Sequence, residues 1–189
     1  MIVGNPNIFA IESEITRAYE RTSQLALGFF VVHVAGRCYG IREPEASMLG
    51  VSFDQIGQRI ARRGNHNPPF PMNAPAADIA YSFRHAIYDE SKEGELFFGM
   101  PLHQFTEAIS SNNLEWISDE EFDDSSYVMQ FEDENQVRLI AFTGTPDFLY
   151  DPATLRDVSL SQNEFYWILQ VWHHRFKDEW ISLPKVSVL

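Results

Sequence analysis

The chain has almost no cysteine and few cations. Cys38 stands alone among 189 residues, which excludes an internal disulfide and any site built from several thiolates. Only 14 Lys and Arg face 27 Asp and Glu, leaving a formal net charge of −13. Such a surface repels phosphate backbones, so nucleic-acid binding is excluded as a main role. No window approaches the roughly eighteen consecutive apolar residues of a membrane span. The opening Met1-Ile2-Val3-Gly4-Asn5-Pro6 lacks the basic region and long apolar core of a secretory leader. A reducing cytoplasm is the expected setting. Also missing are a Gly-rich phosphate loop ending in Lys-Ser/Thr, a Gly-x-Gly-x-x-Gly after a strand, and a Gly-x-Ser-x-Gly elbow. Internal repeats and low-complexity segments are absent too.

What is present is apolar and aromatic. The hydrophobic fraction is 44%, with 15 Phe, 7 Tyr and 4 Trp, ample for a continuous core in a single domain spanning residues 1–189. The densest apolar run is Phe29-Phe30-Val31-Val32-His33-Val34. Both of its alternating faces are largely apolar, which marks a strand covered on two sides. Ala35-Gly36 supplies a turn and Arg37 to Ile41 the return strand, making a central hairpin over residues 26–42.

Around it the patterns alternate between periods of two and of three to four. Ile8 to Ile15 reads as a half-buried strand, with Phe9, Ile11 and Ile15 against Glu12 and Glu14. Thr16 to Gln24 reads as a connection. Ser52 and Gln55 have capping-box spacing for a helix over 52–63, and Gly64 suits a left-handed C-terminal cap. Arg59, Arg62 and Arg63 fall on the back of that helix, where they complement its dipole. Four prolines make 65–75 a loop. Ala76 to Tyr88 is a second helix, with Ile79, Phe83, Ala86 and Ile87 inward and Arg84 and Tyr88 outward. Short strands are expected at Leu96–Phe98, Leu114–Ile117 and Leu155–Leu160, and a brief helix at Leu102–Ser110. Tyr127–Phe131 and Val137–Phe142 read as a second hairpin whose tip adds Glu132, Asp133 and Glu134. Ser161 and Glu164 cap a C-terminal helix carrying Phe165, Ile168, Leu169, Trp172 and Phe176. The sum is an α+β fold: a largely antiparallel sheet with a central hairpin and about three to four packed helices.

Few residues promise chemistry. A two-residue turn pairs His33 with Cys38 across the hairpin, and a Cys–His pair can make a reactive thiolate. The same pattern places both side chains in the core, where thiols are inert, with no evident carboxylate to orient the ring. Adjacent His173 and His174 point about 100° apart on a helix and cannot share an ion comfortably. His66, His85 and His103 are scattered. No metal site and no cofactor are expected. Asp119, Glu120, Glu121, Asp123 and Asp124 crowd around Phe122, which reads either as a solubilising loop or as a charged rim around an apolar anchor. Trp167 and Val171 lie off the main stripe of the last helix, so either a further layer covers them or they face a partner.

The opening residues Met1 to Ile15, with their initial strand, Gly4-Asn5-Pro6 turn and Phe9-Ala10-Ile11-Glu12, resemble the start of a bacterial immunity-protein family of polymorphic toxin systems, immunity family forty-two. Gly28 to Gly40 is similar in character: apolar strand, short turn, strand. The resemblance implies a protein that binds and neutralises one cognate toxin, usually encoded beside it, without catalysis or cofactor. It transfers no toxin-contacting residue. Many such toxins attack nucleic acids and carry basic clefts, which an acidic inhibitor suits. The leading expectation is therefore stoichiometric toxin binding through Asp119, Glu120, Glu121, Phe122, Asp123 and Asp124. Two others stay open: a small hydrolase or transferase using Cys38 with His33 or a histidine cluster, and a self-associating scaffold. Monomer and homodimer are both compatible with the sequence.

Overall fold

The computed structural model describes residues 1–20, 25–89, 94–116, 124–147 and 149–186. These residues form eleven strands and four α-helices. In chain order they are β1 (Ile2–Asn5), β2 (Phe9–Tyr19), β3 (Ala26–Val34), β4 (Arg37–Tyr39), β5 (Ser47–Met48), α1 (Leu49–Ala61), α2 (Ala76–Tyr88), β6 (Leu96–Phe97), β7 (Met100–Pro101), α3 (Leu102–Ser111), β8 (Ser126–Glu132), β9 (Gln136–Thr143), β10 (Arg156–Ser161), α4 (Gln162–Ser182) and β11 (Lys185–Val186).

Two sheets carry the fold. The first runs β1-β2-β3-β4, with β5 also on β3 and β11 parallel to β2; its other pairings are antiparallel. The second is β10-β9-β8, antiparallel throughout. The α+β expectation with a central hairpin holds. Strand β3 is covered on both sides: Phe30, Val32 and Val34 join the core, while Phe29 and Val31 are buried on the opposite face. The guanidinium of Arg42 lies 5.8 Å from the Phe29 ring centroid there.

The described apolar residues form two clusters rather than one, because β8 and β9 are buried on both faces. Val128, Val137, Leu139 and Ala141 face the first sheet and α4. Met129, Phe131, Ile140 and Phe142 face α2 and α3, where Phe83, Phe105, Ile109 and Phe97 pack. Aromatic pairs fill each side, for example Phe9 with Trp116 at 5.9 Å and Phe70 with Phe131 at 5.1 Å between centroids.

Several local expectations change. Strand β2 continues through Tyr19 past an irregularity between Ile15 and Arg17, so residues 16–19 are not a connection. Helix α1 starts at Leu49 with no side-chain cap, and Ser52 is buried one turn inside. Burial of Leu49 and Gly50 directly after β5 starts that helix, where the sequence suggested a capping box. Gly64 does take the left-handed conformation, with φ +83°. Of the strand expected at Leu114–Ile117, Ile117 lies outside the described residues, and the described part forms an isolated bridge, Glu115 to Met129. Helix α4 is capped as expected, Ser161 accepting from the Glu164 N–H at 3.1 Å.

Arg59 is the largest correction. It is 2% exposed, not on the solvent side of α1. Its Nη1 donates to the Asn113 carbonyl and to Gln130 Oε1, both at 3.1 Å, and its Nη2 to the Glu115 carbonyl. Gln130 donates in turn to Glu132 Oε1 at 2.7 Å and to Tyr166 Oη at 3.1 Å. Glu132 also receives the Tyr166 hydroxyl and His66 Nδ1, the latter at 3.1 Å. It is therefore buried, not part of an acidic hairpin tip. Burial lowers the Arg59 pKa to about 9. For Glu132, burial alone would raise the carboxyl, but hydrogen bonds from His66, Tyr166 and Gln130 hold it below its ordinary value.

The C-terminal helix closes the first sheet. Trp172 Nε1 donates to Ser13 Oγ at 3.0 Å. Trp180 Nε1 donates to the carbonyls of Leu25 at 2.8 Å and Tyr19 at 3.1 Å, so one indole spans both ends of the β2–β3 connection.

Two predictions follow from these contacts. A carboxylate with a depressed folded pKa stabilises above its unfolded pKa of about 4.3, and that contribution disappears as pH falls through the folded value. Urea unfolding of Glu132→Gln at pH 7 should show a loss of about 1–3 kcal/mol. The same variant should lose less stability than wild type on acidification from pH 5 to pH 3. Ser161→Ala should cost about 1 kcal/mol in the same assay at every pH in that range.

Candidate interaction surface

His33 and Cys38 are cross-strand partners, as the turn length implies. They are not in the core: Cys38 is exposed and His33 half-buried, because β4 is three residues long and leaves that end of the sheet's second face open. A carboxylate does orient the ring. His33 Nε2 lies 2.9 Å from Glu12 Oε2, and Arg42 Nε donates to Glu12 Oε1 at 2.9 Å. Glu12 comes from the neighbouring strand, diagonally across the pairing, so linear spacing hid it. Desolvation and then the Glu12 charge push the Cys38 thiol above its ordinary value. A raised thiol disfavours the thiolate on which nucleophilic chemistry depends.

The other histidines do not converge. His66 belongs to the buried network, His85 Nδ1 pairs with Asp89 at 3.0 Å, and His103 is exposed on α3. His173 stacks on Phe53 with 3.9 Å between centroids, and His174 pairs with Asp178 at 3.2 Å. Among the described residues no group of three or more His, Cys, Asp or Glu could hold a metal ion, and no helix is long and apolar enough to cross a membrane.

Of the acidic segment, Asp119, Glu120, Glu121, Phe122 and Asp123 lie outside the described residues. Asp124 lies within them. Its carboxylate accepts from the N–H and the hydroxyl of Ser126, each at 2.9 Å, and turns the chain into β8. Trp167 and Val171 part company: Val171 packs against the core, whereas Trp167 is 57% exposed.

A second exposed aromatic group escaped the sequence reading. Tyr81 and Tyr88, seven residues apart on α2, are 42% and 40% exposed, and Leu149 is 42% exposed. Arg84 sits between them and is itself buried, contrary to the outward position its helix spacing suggested. Its Nε donates to the Leu149 carbonyl at 3.1 Å, Nη2 to the Thr145 carbonyl at 3.0 Å, and Nη1 to the Tyr127 hydroxyl at 2.6 Å. Its Cζ lies 4.4 Å from the Tyr88 ring centroid. Tyr81 packs on His85 at 4.1 Å. Ile87, expected inside, is 39% exposed. The sequence signal available was the Tyr81/Tyr88 spacing. What hid the patch was the loop at Leu149, which meets α2 only in three dimensions.

The fold is similar to a known one. The crystal structure of CdiI from Burkholderia dolosa AUO158 superimposes with a TM-score of 0.56 over 93% of this chain and 99% of that one, at 16% identity. No curated protein matches the sequence. The family described as immunity protein 42 matches residues 1–175, which includes most of α4 and, apart from β11, both sheets. With that match over most of its length, the chain belongs to the immunity protein 42 family.

Proposed function

We propose that this protein protects its cell by binding a cognate contact-dependent or secreted polymorphic toxin in the cytoplasm, one to one, without catalysis. Family membership over residues 1–175 is the observation that carries this reading. The net charge of −13 supports a toxin with a basic surface, such as a nuclease cleft that carboxylates can occupy in place of phosphates. Asp119, Glu120, Glu121, Asp123 and Asp124 supply the densest negative charge, with Phe122 as an apolar anchor among them.

The test is charge reversal. Asp119, Glu120, Asp123 and Asp124 are all replaced by Lys, and association is measured with the toxin domain encoded beside this chain. The association rate is expected to fall about tenfold or more at low salt and to lose its salt dependence. Cells expressing that toxin domain should lose protection. An unchanged rate together with unchanged survival would falsify the assignment of this segment.

A further inference from the structure

We propose that the α2 face bearing Tyr81, Tyr88 and Leu149 is a docking surface for a cationic segment of a protein partner, which under the function proposed above is the toxin.

The surface is built rather than incidental. Tyr81, His85 and Tyr88 recur at spacings of four and three along α2 and so share one side of the helix. Arg84 ties that side to the loop by two carbonyl hydrogen bonds, at Thr145 and Leu149. Each exposed ring therefore rests on a fixed neighbour, Tyr81 on His85 and Tyr88 on Arg84. Rigid aromatic side chains lose little entropy when a partner covers them, which is why Tyr recurs at energetic centres of interfaces.

Charge selects the occupant. The three donor nitrogens of Arg84 all bond acceptors within the chain, so none is offered to a partner. Residues 144–151 contain Asp147 and Asp151 and no Lys or Arg. Asp78 is exposed one turn before Tyr81, and Asp147 is exposed in the loop. Two exposed tyrosine rings, with exposed carboxylates on the same helix and on the loop tied to it, suit Arg or Lys side chains, through cation–π contact at the rings and ion pairing beside them. A second copy is disfavoured, since a two-fold contact would bring like charges together on chains that each carry −13. An anionic lipid surface is repelled for the same reason.

The experiment uses the full chain and the toxin domain encoded beside it, by calorimetry and stopped-flow mixing. Tyr81→Ala with Tyr88→Ala should weaken binding about 30-fold or more, mostly by faster dissociation, with the circular dichroism spectrum retained. Tyr81→Phe with Tyr88→Phe should keep most of the affinity. The exposed pair Asp78→Lys with Asp147→Lys should slow association at least fivefold without touching a packed residue. If wild type binds and all these variants bind within twofold of it, the surface assignment is wrong while the proposed function stands. If wild type does not bind that domain, the function itself fails and this docking assignment with it. A concentration-dependent dimer in sedimentation, lost in the tyrosine-to-alanine pair, would give the face to a second copy and overturn the proposal.

Discussion

Burial of β8 and β9 on both faces is the constraint from which most of the structure follows. A sheet with water on one side can send its polar residues there. Here alternate residues enter two separate apolar clusters, so any polar side chain on these strands has to be paired inside the protein. Gln130 and Glu132 are such residues on β8, and Arg138 is one on β9. Each one draws a distant element toward the sheet. Through Gln130 and Glu132 the strand reaches α1, α4 and the segment after Gly64. Through Arg138 it reaches the loop carbonyls of Met72 and Ala74 and the Asp157 carboxylate on β10.

The buried arginines share a task. Arg59, Arg84 and Arg138 each offer several donors to main-chain carbonyls of irregular segments. Carbonyls leaving a strand or helix have no partner within it, and a planar guanidinium can satisfy two at once. In a chain with so large an excess of acid, these cations are withdrawn from the surface and used as internal ties. The exterior becomes still more negative than the sequence suggests. That bears on recognition, because the field a partner meets is set by exposed charges.

Most of the fold was legible wherever one period dominated. The β3–β4 register, helices α2 and α4, the Ser161 cap and the β8–β9 hairpin all follow from spacing. What the sequence hid was whatever depended on a third element. Arg59, Arg84 and Glu132 carry charges that pattern reading sends to solvent, and each is buried because another segment brings it a partner. Cys38 failed in the opposite sense: an apolar hairpin pattern placed it inside, but β4 is too short for its outer side chains to be covered. The tyrosine surface was invisible for the same reason as the buried arginines, since its apolar neighbour Leu149 lies some sixty residues from α2 along the chain.

The Trp180 indole, bridging the carbonyls of Tyr19 and Leu25, sets an order of events during synthesis. The β2–β3 hairpin emerges from the ribosome early, yet the cover of its inner face and the clamp on its turn lie in α4. Until that helix has been made, a long apolar hairpin is exposed in the cell with an unfinished edge, since β11 also reaches β2 only at the end. Completion of the first sheet thus waits on the last helix. A chain truncated before Trp172 would leave unprotected surface rather than a smaller stable domain.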